Sequence, residues 1–290
     1  MGYNKIMKTR IKTYHLAGKH KLRIFVATDT HFEARRPGGM DEIVSEARKA
    51  RPDAILLAGD TVNFLEDIGT EEARERLAGV MRGLAEIAPV YVGIGNHDQM
   101  GNDRTRSLKM AGRMQKKYID FVESIPGEIL LHNRRVKIGE GVNLIGVTLP
   151  LRCYQMDGSE ATFEDEGELR KVLAEHRDLM RRRSVDETNI LVIHSPRRLS
   201  NEIVEELEGI DYIICGHMHQ GCVPFGLDEV LPGTVGIIAP GYMPFPVRAR
   251  HTYPRHSRKL LVLPAYKTFA EHRAFLNGIY PRSLSILEIG

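Results

Sequence analysis

The sequence predicts an α/β fold. Short apolar runs alternate with amphipathic helical stretches, repeating about every 30 residues as a parallel crossover does. Four of five short polar motifs also close such an apolar run. The runs are nearly continuous in apolar residues, as in buried strands of a parallel sheet.

Residues 22–27 form the first run and lead into Asp29-Thr30-His31. A helix is predicted over 41–50, stopping before Pro52, because the residue ahead of a proline is pushed out of the helical region. The second strand, 54–58, ends in Gly59-Asp60-Thr61-Val62-Asn63. A second helix is predicted over 70–87, with Thr70 as N-cap and Glu71 and Glu72 at the positive end of its dipole. The third strand, 90–94, runs into Gly95-Asn96-His97-Asp98.

The middle of the chain is less regular. Residues 104–124 carry a helical pattern stopped by Pro126-Gly127, and 128–131, 135–138 and 142–147 follow as strands. Residues 151–165 show no period and predict a loop. Residues 166–183 predict a charged amphipathic helix, with Arg181, Arg182 and Arg183 at the negative end of its dipole. A strand over 190–193 ends in His194, a short helix spans 201–207, and a strand over 212–215 ends in Gly216-His217-Met218-His219. The Gly- and Pro-rich remainder holds apolar pieces at 235–239, 259–263 and 284–289. With no repeat or linker, one domain over 1–290 is expected, with a motif core at about 22–220 and residues 221–290 completing it.

Composition narrows the class. Hydrophobic residues make up 42% and charged residues 27%, ordinary for a globular protein. A net charge of +3, without interleaved basic and aromatic residues, argues against a nucleic-acid partner. Cys153, Cys215 and Cys222 are odd in number and lack C-x-x-C spacing, which suggests a reducing compartment. No run approaches the roughly 20 apolar residues of a membrane span, and residues 1–21 are polar and basic. A cytoplasmic location is therefore expected.

The motifs carry the chemistry. In an open α/β sheet, ligands sit beyond the carboxyl ends of the parallel strands, so the motifs should converge at one edge. Asp29 and His31, and again His217 and His219, are two apart; an extended backbone there would point each pair to one side. Singly, each motif has a plain explanation: Gly59-Asp60 as a turn, His194 as a structural histidine, Asn96-His97-Asp98 as a capped turn. Jointly, at successive strand ends, they do not. Histidines with carboxylates and an amide oxygen suit Mn, Fe or Zn better than Ca. The ligands are too many for one tetrahedral zinc, whereas two metals about 3.5–4 Å apart, bridged by a carboxylate, would use them. Such a pair lowers the pKa of bound water from 15.7 to about 7 and clamps a phosphate for in-line displacement. His15, His20, His132, His176, His251, His256 and His272 lack this context. The basic stretch 248–259, with Tyr253, reads as a solvated loop, the alternative being a hold for an anionic substrate.

These residues resemble the calcineurin-like metallophosphoesterase superfamily, whose blocks D-x-H, G-D-x-x-[DN], G-N-H-[DE], a later H and G-H-x-H all occur here in order. The resemblance implies a four-layer α/β/β/α sandwich with two mixed β-sheets. It implies one metal held by Asp29, His31, Asp60 and His219, and a second held by Asp60, Asn96, His194 and His217, with Asp60 bridging. His97 would stay off the metals and act on the scissile phosphate as acid or hydrogen-bond donor. Asp98 would orient His97, and Asn63 would line the site. The implied activity is phosphomonoester or phosphodiester hydrolysis. Asn63-Phe64 stands where the protein Ser/Thr phosphatases carry Asp-Arg, which separates this chain from them. The segment from Gly216 to Pro224-Phe225 resembles a bacterial branch, some of whose members cleave the pyrophosphate of a lipid-linked nucleotide sugar. In that alternative 151–165 and 248–259 would bind the substrate; membrane contact stays open, with no anchor in this chain. A third alternative is a metal-containing scaffold without catalysis.

Overall fold

The computed structural model describes residues 9–34, 40–154, 166–196, 199, 201–217, 219, 260–267 and 282–290. A six-stranded sheet has the order β1-β11-β2-β3-β4-β5, built from β1 (Arg10–Leu16), β11 (Ser283–Ile289), β2 (Leu22–Ala27), β3 (Ala54–Ala58), β4 (Val90–Gly93) and β5 (Glu128–Leu130). Strands β2 to β5 are mutually parallel, and β11 is antiparallel to β2 and parallel to β1. A five-stranded sheet has the order β10-β9-β8-β7-β6, from β10 (Leu260–Val262), β9 (Tyr212–Cys215), β8 (Thr188–Val192), β7 (Val142–Gly146) and β6 (Arg134–Gly139). Only β6 is antiparallel to its neighbour there. Both sheets are thus mixed.

Three buried clusters define the layers. Alternate residues of β2 and β3, Phe25, Ala27, Ile55 and Leu57, pack against helices α1 (Asp41–Ala50), α2 (Glu71–Ala85) and α4 (Ala111–Glu123). The intervening residues, Ile24, Val26, Ala54 and Leu56, face Leu144, Ile190, Val192 and Ile214 of the second sheet. That sheet's outer face, with Ile145, Leu191 and Ile213, is covered by α5 (Glu166–Glu175), α6 (Arg177–Met180) and α7 (Asn201–Glu206). The order is helix, sheet, sheet, helix, the expected four-layer sandwich. Period-two alternation sends one set of each strand's side chains to the helices and the other to the opposite sheet, which is why the central strands β3, β4 and β9 are apolar along their length. The late strands β10 and β11 join one sheet each.

Thr70 caps α2 as expected, its hydroxyl accepting from Ala73 N at 3.2 Å. Three expectations change. The pattern over 104–124 is two helices, α3 (Arg104–Lys109) and α4, broken at Met110, whose backbone is non-helical at φ −116°, ψ 16°. The pattern over 166–183 likewise breaks at His176, whose ring Nδ1 turns back to Val172 O, 2.8 Å away. Arg181 to Arg183 lie beyond α6, so they serve no helix dipole; Arg182 instead pairs with Asp211 and donates to Glu187 O. Strand β1 carries no apolar run, because it lies at a sheet edge and only Leu16 is buried.

Glu128 in β5 has both carboxylate oxygens buried without a hydrogen-bond partner among the described residues, and burial pushes its pKa up to about 8. A carboxyl whose folded pKa lies above its unfolded value favours the protonated form, so its contribution is intact below about pH 4.3 and is lost as pH climbs through 8. Glu128→Gln is expected to raise Tm at pH 8–9 and leave it unchanged at pH 4, as thermal denaturation at the two pH values will show.

Candidate metal centre

The motifs meet because β2, β3, β4, β8 and β9 present their carboxyl ends on one side of the two packed sheets. The first two motifs continue pairing past their strands: Asp29 N donates to Gly59 O at 3.0 Å and His31 N to Asp60 O at 3.0 Å. The backbone there is not extended as expected. Asp29, His31 and Asp60 have φ of 53°, 44° and 52°, and His217 and His219 have 68° and 51°. Among the described residues only Arg51 and Asn133 otherwise take positive φ without being glycine. Five left-handed residues at one place are a concentration of backbone strain of the kind found at functional sites. Tight left-handed turns, rather than strand alternation, aim the paired side chains.

Each carboxylate is fixed by a backbone N–H of another motif. His217 N donates to Asp29 at 3.1 Å (Oδ1) and 3.0 Å (Oδ2), and the Thr28 hydroxyl donates to Oδ2 at 2.7 Å. His97 N donates to Asp60 Oδ1 at 2.8 Å. These approaches explain the motif glycines: a Cβ on Gly95 would lie 2.2 Å from Asp60 Oδ1, and one on Gly216 2.5 Å from Asp29 Oδ2.

The imidazoles converge on the same carboxylates. His194 Nε2 lies 3.0 Å from Asp60 Oδ2 and 3.8 Å from Asp29 Oδ1. His31 Nε2 lies 3.9 Å from Asp60 Oδ2 and 4.0 Å from Asp29 Oδ1, and His219 Nε2 lies 3.8 Å from Asp29 Oδ1. Backbone carbonyls take the other nitrogens, Ala58 O for His194 Nδ1 and Lys267 O for His219 Nδ1, both at 2.9 Å. An imidazole whose Nδ1–H is so committed offers an Nε2 lone pair inward.

Three groups have ligand atoms within 4.8 Å of one another: Asp29, His31 and His219; Asp60, His194 and His217; and His31, Asp60 and His97. The electrostatics call for a cation. Burial opposes ionisation of Asp60, yet His194, His97 and His31 hold it well below the usual carboxylate range. Burial would lower His194, but Asp60 and Asp29 push it up to about 10, so the two buried carboxylates favour a positive charge between them. His31 is held well below its ordinary value by burial and by His97, with both ring nitrogens buried and without a hydrogen-bond partner among the described residues. Asn96 Oδ1 is also buried without a partner among the described residues. Unpartnered buried donor atoms around paired carboxylates fit a metal site.

The nine candidate catalytic and metal-holding residues and Asn63 all stand at these strand ends, but Asp98 does something other than expected. Its oxygens accept from Val62 N at 3.1 Å and Gly95 N at 2.9 Å, tying the second motif to the third. The His97 ring is held instead through Nδ1 by the Asn63 carbonyl. Lys267 had no signal in the sequence, because its contribution is a backbone carbonyl, and its side chain pairs with Glu33. Residues 155–165, 220–259 and 268–281, and with them the stretch 248–259 and Cys222, lie outside the described residues.

Carboxylates and imidazoles gathered at the carboxyl ends of two packed sheets are the equipment of a metal-dependent hydrolase. Residues 22–221 match the model of the calcineurin-like phosphoesterases, and the chain belongs to that family as a metallophosphoesterase, a hydrolase of phosphoric esters. Solved structures similar to it include a phosphopantetheinyl hydrolase from Mycobacterium tuberculosis, at 13% identity over 69% of this chain and 83% of that one, with a TM-score of 0.42. Another is a dimetal phosphatase from Danio rerio, at 13% identity over 69% and 82%, with a TM-score of 0.36. No curated protein sequence matches at a significant level. No helix among the described residues is long and apolar enough to cross a membrane.

Proposed function

We propose that the chain hydrolyses a phosphomonoester or phosphodiester at a pair of divalent cations. Asp29, His31, Asp60 and His219 would hold one cation and Asp60, Asn96, His194 and His217 the other, with Asp60 shared between them. The observation that carries this reading is the shared position of Asp60: it belongs to groups on both sides, facing His194 at 3.0 Å and His31 at 3.9 Å. The cations, Mn, Fe or Zn by ligand chemistry, would neutralise phosphoryl charge and lower the pKa of water. The residues do the rest. Two buried, backbone-fixed carboxylates set the spacing before substrate arrives, which is how electrostatic preorganisation avoids reorganisation during reaction.

His97 borders the His31 end, its ring centroid 4.5 Å from that of His31, and it is less buried than the carboxylates. With Nδ1 on the Asn63 carbonyl, Nε2 is the atom that meets the leaving-group oxygen and protonates it. Asp98 acts one step back by locking the two loops that carry Asp60 and His97. The test is a panel of p-nitrophenyl phosphate, bis-p-nitrophenyl phosphate and a nucleoside pyrophosphate, each with manganese, nickel, zinc and iron. Turnover of a monoester or diester is expected. No turnover of any substrate with any metal would return the protein to a non-catalytic metal-binding role.

A further inference from the structure

A tyrosine borders the other end of the cluster. The short helical turn Leu151–Tyr154 follows β7 and brings the Tyr154 ring to 5.5 Å from His217 and 6.2 Å from His194, centroid to centroid. Tyr154 is buried, and its hydroxyl has no hydrogen-bond partner among the described residues. The two imidazoles it borders are those grouped with Asp60. A buried hydroxyl left unpaired costs folding free energy, whereas phenylalanine would fill the same space without that cost. A group that burdens the fold beside a reaction centre is expected to act there.

We propose that Tyr154 is a catalytic residue that donates its O–H to a phosphoryl oxygen of the substrate, on the side of Asp60, His194 and His217. The proposal rests on the phosphohydrolase reading above. A phenol suits this role because it donates one directed hydrogen bond, and burial keeps water from competing for it. His97 and Tyr154 would then serve different oxygens, His97 the leaving group near His31 and Tyr154 an oxygen that stays on phosphorus. Neighbouring Leu151 and Cys153 are buried as well, which anchors the turn in the core.

The experiment compares wild-type protein with Tyr154→Phe, both loaded with manganese. The variant is expected to lose about 10²-fold in kcat, the usual consequence of removing one such donor. Its metal content should equal the wild type's, its Tm should be equal or higher, and inhibition by inorganic phosphate should weaken. A kcat within twofold of wild type overturns the proposal. So does a loss of kcat accompanied by a lower Tm or lost metal, since that marks a structural role. Wild-type protein without turnover would instead overturn the phosphohydrolase reading itself.

Discussion

Asp60→Asn is expected to abolish phosphoester turnover. The substitution keeps the shape of the side chain and an oxygen for the His97 N–H, which donates to Asp60 Oδ1 at 2.8 Å. It removes the charge that draws in His194 and His31. If Asp60 bridges two cations, both lose a ligand at once, so the effect exceeds that of any single-site ligand. A loss of about 4 kcal/mol in transition-state stabilisation corresponds to about 10³-fold in kcat/KM. Steady-state kinetics with added manganese measures it. Retention of a tenth or more of wild-type kcat/KM would remove Asp60 from the centre of the mechanism.

His97→Ala is expected to cost about 10²–10⁴-fold in kcat, the range for a lost proton donor, while leaving metal content unchanged. The distinction matters because His97 lies within ligand distance of His31 and Asp60. Its Nδ1 is committed to a backbone carbonyl as those of His194 and His219 are, and it is partly buried as His217 and His219 are, so metal content is the readout that separates a proton donor from a ligand. A proton donor should also show itself in the leaving group. The variant's deficit should shrink for p-nitrophenyl esters, which leave without protonation, and grow for alkyl esters. An equal deficit on both, together with lost metal, would make His97 a ligand.

The strands and the site were unequally legible in the sequence. Strands β2, β3, β4, β8 and β9 lie between other layers, so their apolar runs marked them, and the polar residue ending each was visible at once. Edge strand β1 lacks that character, with Arg10, Lys12 and His15 along it, and so gave no strand signal. Helix breaks at Met110 and His176 come from backbone geometry that apolar periodicity does not record. At the site, side-chain chemistry was readable and the scaffolding was not. The groups that hold His97, His194 and His219 are the carbonyls of Asn63, Ala58 and Lys267, and a carbonyl is present in every residue. Asp98 shows the same limit in reverse: its adjacency to His97 suggested a partnership, whereas its buried carboxylate is committed to two backbone N–H groups.

The central claim is that one carboxylate, Asp60, joins two cation sites. Its most direct test is elemental analysis of wild-type protein and Asp60→Asn after equal exposure to manganese and desalting. Two metal ions per chain in the wild type, with both lost from the variant, is the predicted result. Two ions per chain in both proteins, or a single ion in the wild type, would contradict it.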